Sequence, residues 1–142
     1  KTSIDGGKPV QITDKPTGRP SVSADGKWLL CRYRDAQPGK PLWRTALIPL
    51  DHPGPPRFID RPIYGGGPNF AWYPDSTHFA YLDSQGGVSN IWLQNIDGSE
   101  PAQLTFFDSG DIFSFAPSPD GKRLVISRGE ANSDVVMIRN FR

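Results

Sequence analysis

Three short runs of the chain carry apolar side chains on both alternating faces: Trp28-Leu-Leu-Cys31, His78-Phe-Ala-Tyr-Leu82 and Arg123-Leu-Val-Ile126. Such runs suit strands sandwiched between two other sheets better than strands with one wet face. Each follows a polar turn at the same offset: Ala24-Asp25-Gly26-Lys27, Pro74-Asp75-Ser76-Thr77 and Pro119-Asp120-Gly121-Lys122. In these turns Pro presets φ, Asp hydrogen-bonds backbone groups further along, and Gly takes a positive φ at little cost. A shorter apolar stretch precedes each turn, predicting first strands that start near Ser21, Phe70 and Phe115. In the central copy, residues 83–89 read as a polar loop, Asn90-Ile-Trp-Leu-Gln-Asn-Ile96 as a third strand, and Gln103-Leu-Thr105 as a short outer strand. The pattern predicts antiparallel meanders of four strands.

The meander repeats. Asp5-Gly-Gly-Lys-Pro-Val-Gln-Ile-Thr13 returns as Asp97-Gly-Ser-Glu-Pro-Ala-Gln-Leu-Thr105, with a looser copy, Asp51-His-Pro-Gly-Pro-Pro-Arg-Phe-Ile59, midway. Asp5, Asp51 and Asp97 stand 46 residues apart. A period of this size marks an architecture whose units bury their apolar faces on one another. A four-stranded unit of that length, buried on both faces, describes a propeller blade. The expected fold is therefore all-β, a partial β-propeller of about three four-stranded antiparallel blades, half of a ring of about six. The units fall near 14–59, 60–105 and 106–142, the last completed by residues 1–13. Within that unit Ile4–Thr13 reads as a turn and fourth strand, and Asp134–Phe141 as a third strand. Three blades splay too widely to close a ring. Completion is expected from upstream blades in a longer parent, or from a homodimer in which Val10–Thr13 of each chain pairs with the Val135–Ile138 edge of the other.

Composition narrows the alternatives. The 15 Gly and 15 Pro make up about a fifth of 142 residues, and the longest stretch lacking both, 130–142, holds Val135, Val136 and Ile138, which favour strand. No segment offers the unbroken helical periodicity that a helix needs. Sixteen basic against fifteen acidic residues, unclustered, give no footprint for nucleic acid. No apolar run is long enough to span a membrane as a helix. The sole cysteine, Cys31, reads as a small buried core residue.

Chemistry-bearing constellations are sparse. His52 and His78 have no partner at ligand spacing, whereas a zinc site wants three or four converging ligands, so no metal is expected. No Gly-x-Ser-x-Gly elbow occurs, and Gly65-Gly-Gly67 lacks the Lys-Ser/Thr and helix of a phosphate loop. The Asp-Gly turns are turn formers, and the tryptophans at 28, 43, 72 and 92 fall on strands and read as inter-blade core.

The series Ser-Pro-Asp-Gly-Lys-x-Leu, a bulky strand, an Ile-Asp-Gly turn and a Gln-Leu-Thr ending resembles the TolB-type, WD-like propeller repeat. The likeness spans almost the whole chain, fullest in 115–126 with 89–105 supplying the ending. Departures are Ala24 for the turn Pro, Ser76 for the turn Gly, and a first repeat without a clean Gln-Leu-Thr. Gly86-Gly-Val-Ser-Asn-Ile-Trp92, Ile112-Phe-Ser-Phe115 and Ser133-Asp-Val-Val-Met-Ile-Arg-Asn-Phe-Arg142 resemble the C-terminal blades of large bacterial proteins. Those proteins join a protein-kinase or winged-helix regulatory domain to such a propeller. The resemblance implies a non-catalytic binding or interaction module without a cofactor, and it favours an extracytoplasmic setting. The alternatives are the gating propeller of a prolyl-oligopeptidase-like peptidase and a TolB-like envelope scaffold.

In a four-stranded blade, the connections after the first and third strands lie at one end and the others at the opposite end. The first class is short here. The second, 34–41, 60–68, 83–89, 106–112 and 127–133, reads as long, and binding residues concentrate on loops held by a rigid scaffold. A protein or small ligand is expected there. The candidate residues are Arg34, Asp35, Tyr64, Asn69, Asp83, Gln85, Asp108, Asp111, Arg128 and Glu130.

Overall fold

The computed structural model describes residues 1–59 and 70–130, and these contain strands and no helix. A first sheet runs β1 (Thr17–Val22), β2 (Trp28–Arg34), β3 (Trp43–Pro49) and β4 (Arg57–Ile59) in that spatial order, antiparallel throughout. A second repeats the scheme with β5 (Phe70–Trp72), β6 (His78–Gln85), β7 (Val88–Asn95) and β8 (Ala102–Gln103). The third holds β9 (Asp111–Pro117) paired with β10 (Leu124–Gly129) among the described residues.

The hairpin between the first two strands is built the same way three times. Ser23, Tyr73 and Ser118 each donate N–H to a carbonyl five residues on (Trp28, His78, Arg123; 2.8–3.0 Å). Their own carbonyls accept from Gly26, Ser76 and Gly121 (2.8–3.1 Å). The acceptors' donors share one conformation, φ of 73°, 59° and 68°, so Ser76 occupies the left-handed position that Gly fills in its sisters. Asp25 and Asp120 cap their turns identically, accepting the N–H of Lys27 and Lys122 (both 3.1 Å) and the hydroxyls of Ser23 and Ser118.

The three sheets stack face to face in chain order. Leu30 and Leu47 of the first sheet pack on Phe70, Phe79 and Tyr81 of the second. The far side of the second, Ala80, Leu82 and Ile91, packs on Ile112, Phe115, Leu124 and Ile126. Alternation along β6 sends Phe79 and Tyr81 one way and Ala80 and Leu82 the other, so one strand serves two cores, as the two-faced apolar runs require. β5 touches β1 and β9, and the Trp72 indole N–H donates to the Ser21 carbonyl at 3.0 Å. On the outer side of the first sheet Cys31, Tyr33, Ala46 and Ile48 are covered in part by Ile12.

Four expectations need correction. β1 and β9 begin at Thr17 and Asp111, four residues ahead of Ser21 and Phe115, because each carries one extra residue against its partner. Such bulges break the period-2 pattern that marks a strand. Residues 83–89 are not a loop: Gln85 pairs with Val88, and Gly86-Gly87, both at positive φ (60° and 80°), make a two-residue turn whose twist matches the strands. β10 likewise runs to Gly129, which shortens the connection expected at 127–133. Finally, Val10–Thr13 is not a strand; Val10 exchanges backbone hydrogen bonds with Lys1 (2.7 and 2.8 Å). The segment still copies 95–105 locally, since Gly6 N–H reaches Ser3 as Gly98 reaches Asn95, and Gln11 and Gln103 both donate to a Thr carbonyl two residues on (2.9 and 2.7 Å). What differs is the pairing: Leu104 N–H bonds to Ile91 of β7, and no described strand pairs with Val10–Thr13 through its backbone. The expected partner, Val135–Ile138, lies outside the described residues, as does the strand Asp134–Phe141.

Candidate functional site

The two ends of the stack differ in chemistry. At one end the three short turns lie side by side: the Ser76 hydroxyl accepts the Asp25 N–H (2.9 Å), and a Cβ on Gly121 would sit 3.5 Å from Pro74 Cδ. The aspartates of these three turns are spent on their own turns. Asp25 and Asp120 fall below the usual carboxylate range, chiefly through the hydroxyls of Ser23 and Ser118 and then the Lys27 and Lys122 N–H groups. Burial works to raise Asp75, but bonds from Thr77 and His78 outweigh it and hold the carboxyl low. His78 leans on Asp75 (2.7 Å) and His52 on Asp51 (2.6 Å), each a local pair. Among the described residues no three metal-ligating side chains converge. Burial pushes the Cys31 thiol up to about 11, which keeps it protonated and inert as a nucleophile.

The opposite end of the second sheet holds a cleft of about 210 Å³ lined by Asp83, Gln85, Val88, Asn90, Trp92, Gln103 and Phe107. Its origin is strand alternation. Residues 79, 81, 83 and 85 of β6 share one face, as do 88, 90 and 92 of β7. Register sets Asp83 opposite Asn90, and Trp92 between Tyr81 and Gln103. The face that buries Phe79 and Tyr81 against the first sheet thus turns polar at its end, where burying carboxylates and amides would otherwise cost free energy.

Asn90 orders the cleft's edge. Its Oδ1 accepts from Thr105 Oγ1 (3.0 Å) and Phe107 N–H (2.8 Å), and its Nδ2 donates to the Phe107 carbonyl (3.1 Å). Gln85 Nε2 donates to Asp83 Oδ2 (3.0 Å) and Gln103 Nε2 to the Thr105 carbonyl (2.7 Å). Each amide nitrogen therefore commits one of its two N–H groups within the protein, and both oxygens remain acceptors. Behind the cleft, Ser89 links Ser84 (2.8 Å) to Asp111 (3.1 Å), and the Arg128 guanidinium lies 4.0 Å from the Phe107 ring centre while donating to the Ser109 carbonyl (2.6 Å). Gly110 is required: its φ is +70° and a Cβ would stand 3.0 Å from the Gly129 carbonyl oxygen.

The structure thus brings together Asp83 and Gln85 in the cleft, with Asp111 and Arg128 as its supports. Asp108 and Glu130 are exposed and outside its lining. Arg34 and Asp35 belong to the first sheet, where Asp35 is committed to Arg44 (2.7 Å), which itself lies 3.8 Å from the Phe58 ring centre. Tyr64 and Asn69 lie outside the described residues. Asn90, Trp92 and Gln103 are site residues that the sequence assigned to strands or core, and Phe107 falls on the expected 106–112 loop without being among its candidates. Trp43 departs from the core assignment: it is exposed, with Arg32 5.5 Å from its ring. No protein-family model matches the chain, and no curated protein matches it significantly in sequence.

Proposed function

We propose that the chain forms successive blades of a β-propeller and works as a non-catalytic binding module, its ligand taken at the end that carries the Asp83–Phe107 cleft. The observation that carries this reading is the in-register stacking of three sheets, first strands adjacent, with spent turns at one end and unspent acceptors at the other. The likeness of the repeats to TolB-type blades supports it. Further blades or a second copy would continue the ring over the third sheet, whose outer face carries Phe113 (50% exposed) and Val125 (70% exposed). A two-dimensional NMR screen against peptides, sugars and nucleotides tests the reading. Ligands should perturb resonances in 83–92 and 103–111 and remain chemically unchanged. Perturbations centred on Asp25, Ser76 and Asp120, or turnover of a probe, would contradict it.

A further inference from the structure

We infer that the cleft between Asp83 and Phe107 is a receptor for a single arginine side chain, presented by a partner protein or as the free amino acid. This rests on the binding-module reading and adds the chemistry of the ligand.

The lining residues decide the class. Asp83 is the sole formal charge among the lining residues, and the Arg128 guanidinium stands against the Phe107 ring rather than in the lining. One Asp83 oxygen accepts from Gln85, and the other takes no hydrogen bond from a described residue. Gln85 and Gln103 each spend one amide N–H within the protein and keep one, so the group that sets the cleft's preference is the charged acceptor, Asp83 Oδ1, backed by the two amide oxygens. A guanidinium is their complement, having five N–H donors and no acceptor. A sugar hydroxyl would leave the Asp83 charge without a counter-charge, and a phosphate or carboxylate would meet it with like charge.

Shape and ring chemistry agree. At about 30 Å³ of liquid per water, 210 Å³ holds about seven waters. That is enough for one long side chain and well below the range of about 300–1,000 Å³ typical of drug-sized ligands. Trp92 and Phe107 supply aromatic walls, which attract a cation through the ring quadrupole. Phe107 already receives one guanidinium, that of Arg128, at 4.0 Å, on a backbone pinned by Asn90. Arginine is favoured over lysine because its planar fork stacks on rings and meets a carboxylate in bidentate fashion.

The test uses the full chain, read through the side-chain amide signals of Gln85 and Gln103 and the indole N–H of Trp92. Probes are free arginine, N-acetyl-arginine amide, the peptide Gly-Arg-Gly, its lysine analogue, and its citrulline analogue, which keeps the shape and loses the charge. The inference expects saturable shifts with Gly-Arg-Gly and at least about tenfold weaker binding of the citrulline peptide, as suits a charge-assisted pair. Asp83→Asn should weaken arginine binding by about tenfold with backbone dispersion unchanged. Free arginine binding as well as the peptide would identify the amino acid as the ligand, and preference for the peptide would identify a protein partner. Equal binding of citrulline and arginine, or no shift with any arginine probe, overturns the inference. The citrulline comparison needs no variant, so a misfolded Asp83→Asn leaves the test intact. If a neutral or anionic probe perturbs the same signals instead, the binding-module reading survives and the arginine assignment falls; if nothing perturbs them, both fall.

Discussion

Ser76 shows how one residue joins two units. It holds a left-handed backbone that favours Gly by about 1–2 kcal/mol, and its hydroxyl accepts the Asp25 N–H from the preceding sheet. Removing that acceptor from a part-buried donor costs about 1–3 kcal/mol. Ser76→Ala keeps the strain and loses the bond, so it should destabilise by about 1–2 kcal/mol, whereas Ser76→Gly should cost less because relieved strain offsets the lost bond. Urea unfolding that ranked Gly below Ala would contradict this. The turn carboxylates make a second prediction, about pH. Asp25, Asp75 and Asp120 all have folded pKa values below the ordinary range, so they add stability above their unfolded pKa of about 3.9 and lose it as pH falls through the folded values. Stability should be flat above about pH 5 and fall below about pH 4. In Asp75→Asn the acid limb of a melting-temperature profile should be shallower; an unchanged limb would show that Asp75 contributes nothing to it.

At the scale of the element, burial on both faces distinguishes central from outer strands. Phe79 is fully buried, edge-on to Trp72 at 5.7 Å and packed on Tyr81, so Phe79→Ala should cost about 3–5 kcal/mol. Phe113, half-exposed on the outer face of β9, should tolerate Phe113→Ser within about 1 kcal/mol. Comparable losses from the two would contradict the layered core. Most of this layering was legible in the sequence, because a strand apolar on both faces has few homes and an Asp-Gly turn announces its own φ. The bulges in β1 and β9 were not, since an extra residue there looks like an earlier strand end. Nor was the cleft. Asp83, Gln85, Asn90, Trp92 and Gln103 meet through the register of three strands, and a polar end on an otherwise apolar strand reads as a loop. Asp35 shows the converse: its type and position suited a ligand, but Arg44, on the adjacent strand of the hairpin, had already taken its charge.

Across the whole molecule, the same stacking that buries both faces of the second sheet leaves the third with Phe113 and Val125 bare, and Phe106 is 79% exposed nearby. With a net charge of only +1 there is little repulsion to keep such faces apart. Light scattering on the chain alone should therefore report association that Val125→Lys suppresses without lowering the melting temperature. A monodisperse monomer, or association indifferent to Val125, would remove the third sheet as a contact surface. The stacking itself is tested most directly by nuclear Overhauser spectroscopy on the Trp72 indole N–H, which lies 3.0 Å from the Ser21 carbonyl across the boundary between the first two sheets. Cross-peaks from that proton to Ser21 and Val22, together with Phe79 to Leu30 and Ile112 to Ala80, are the expected result. Intact cross-strand contacts within each sheet, with all three inter-sheet sets missing, would contradict the account.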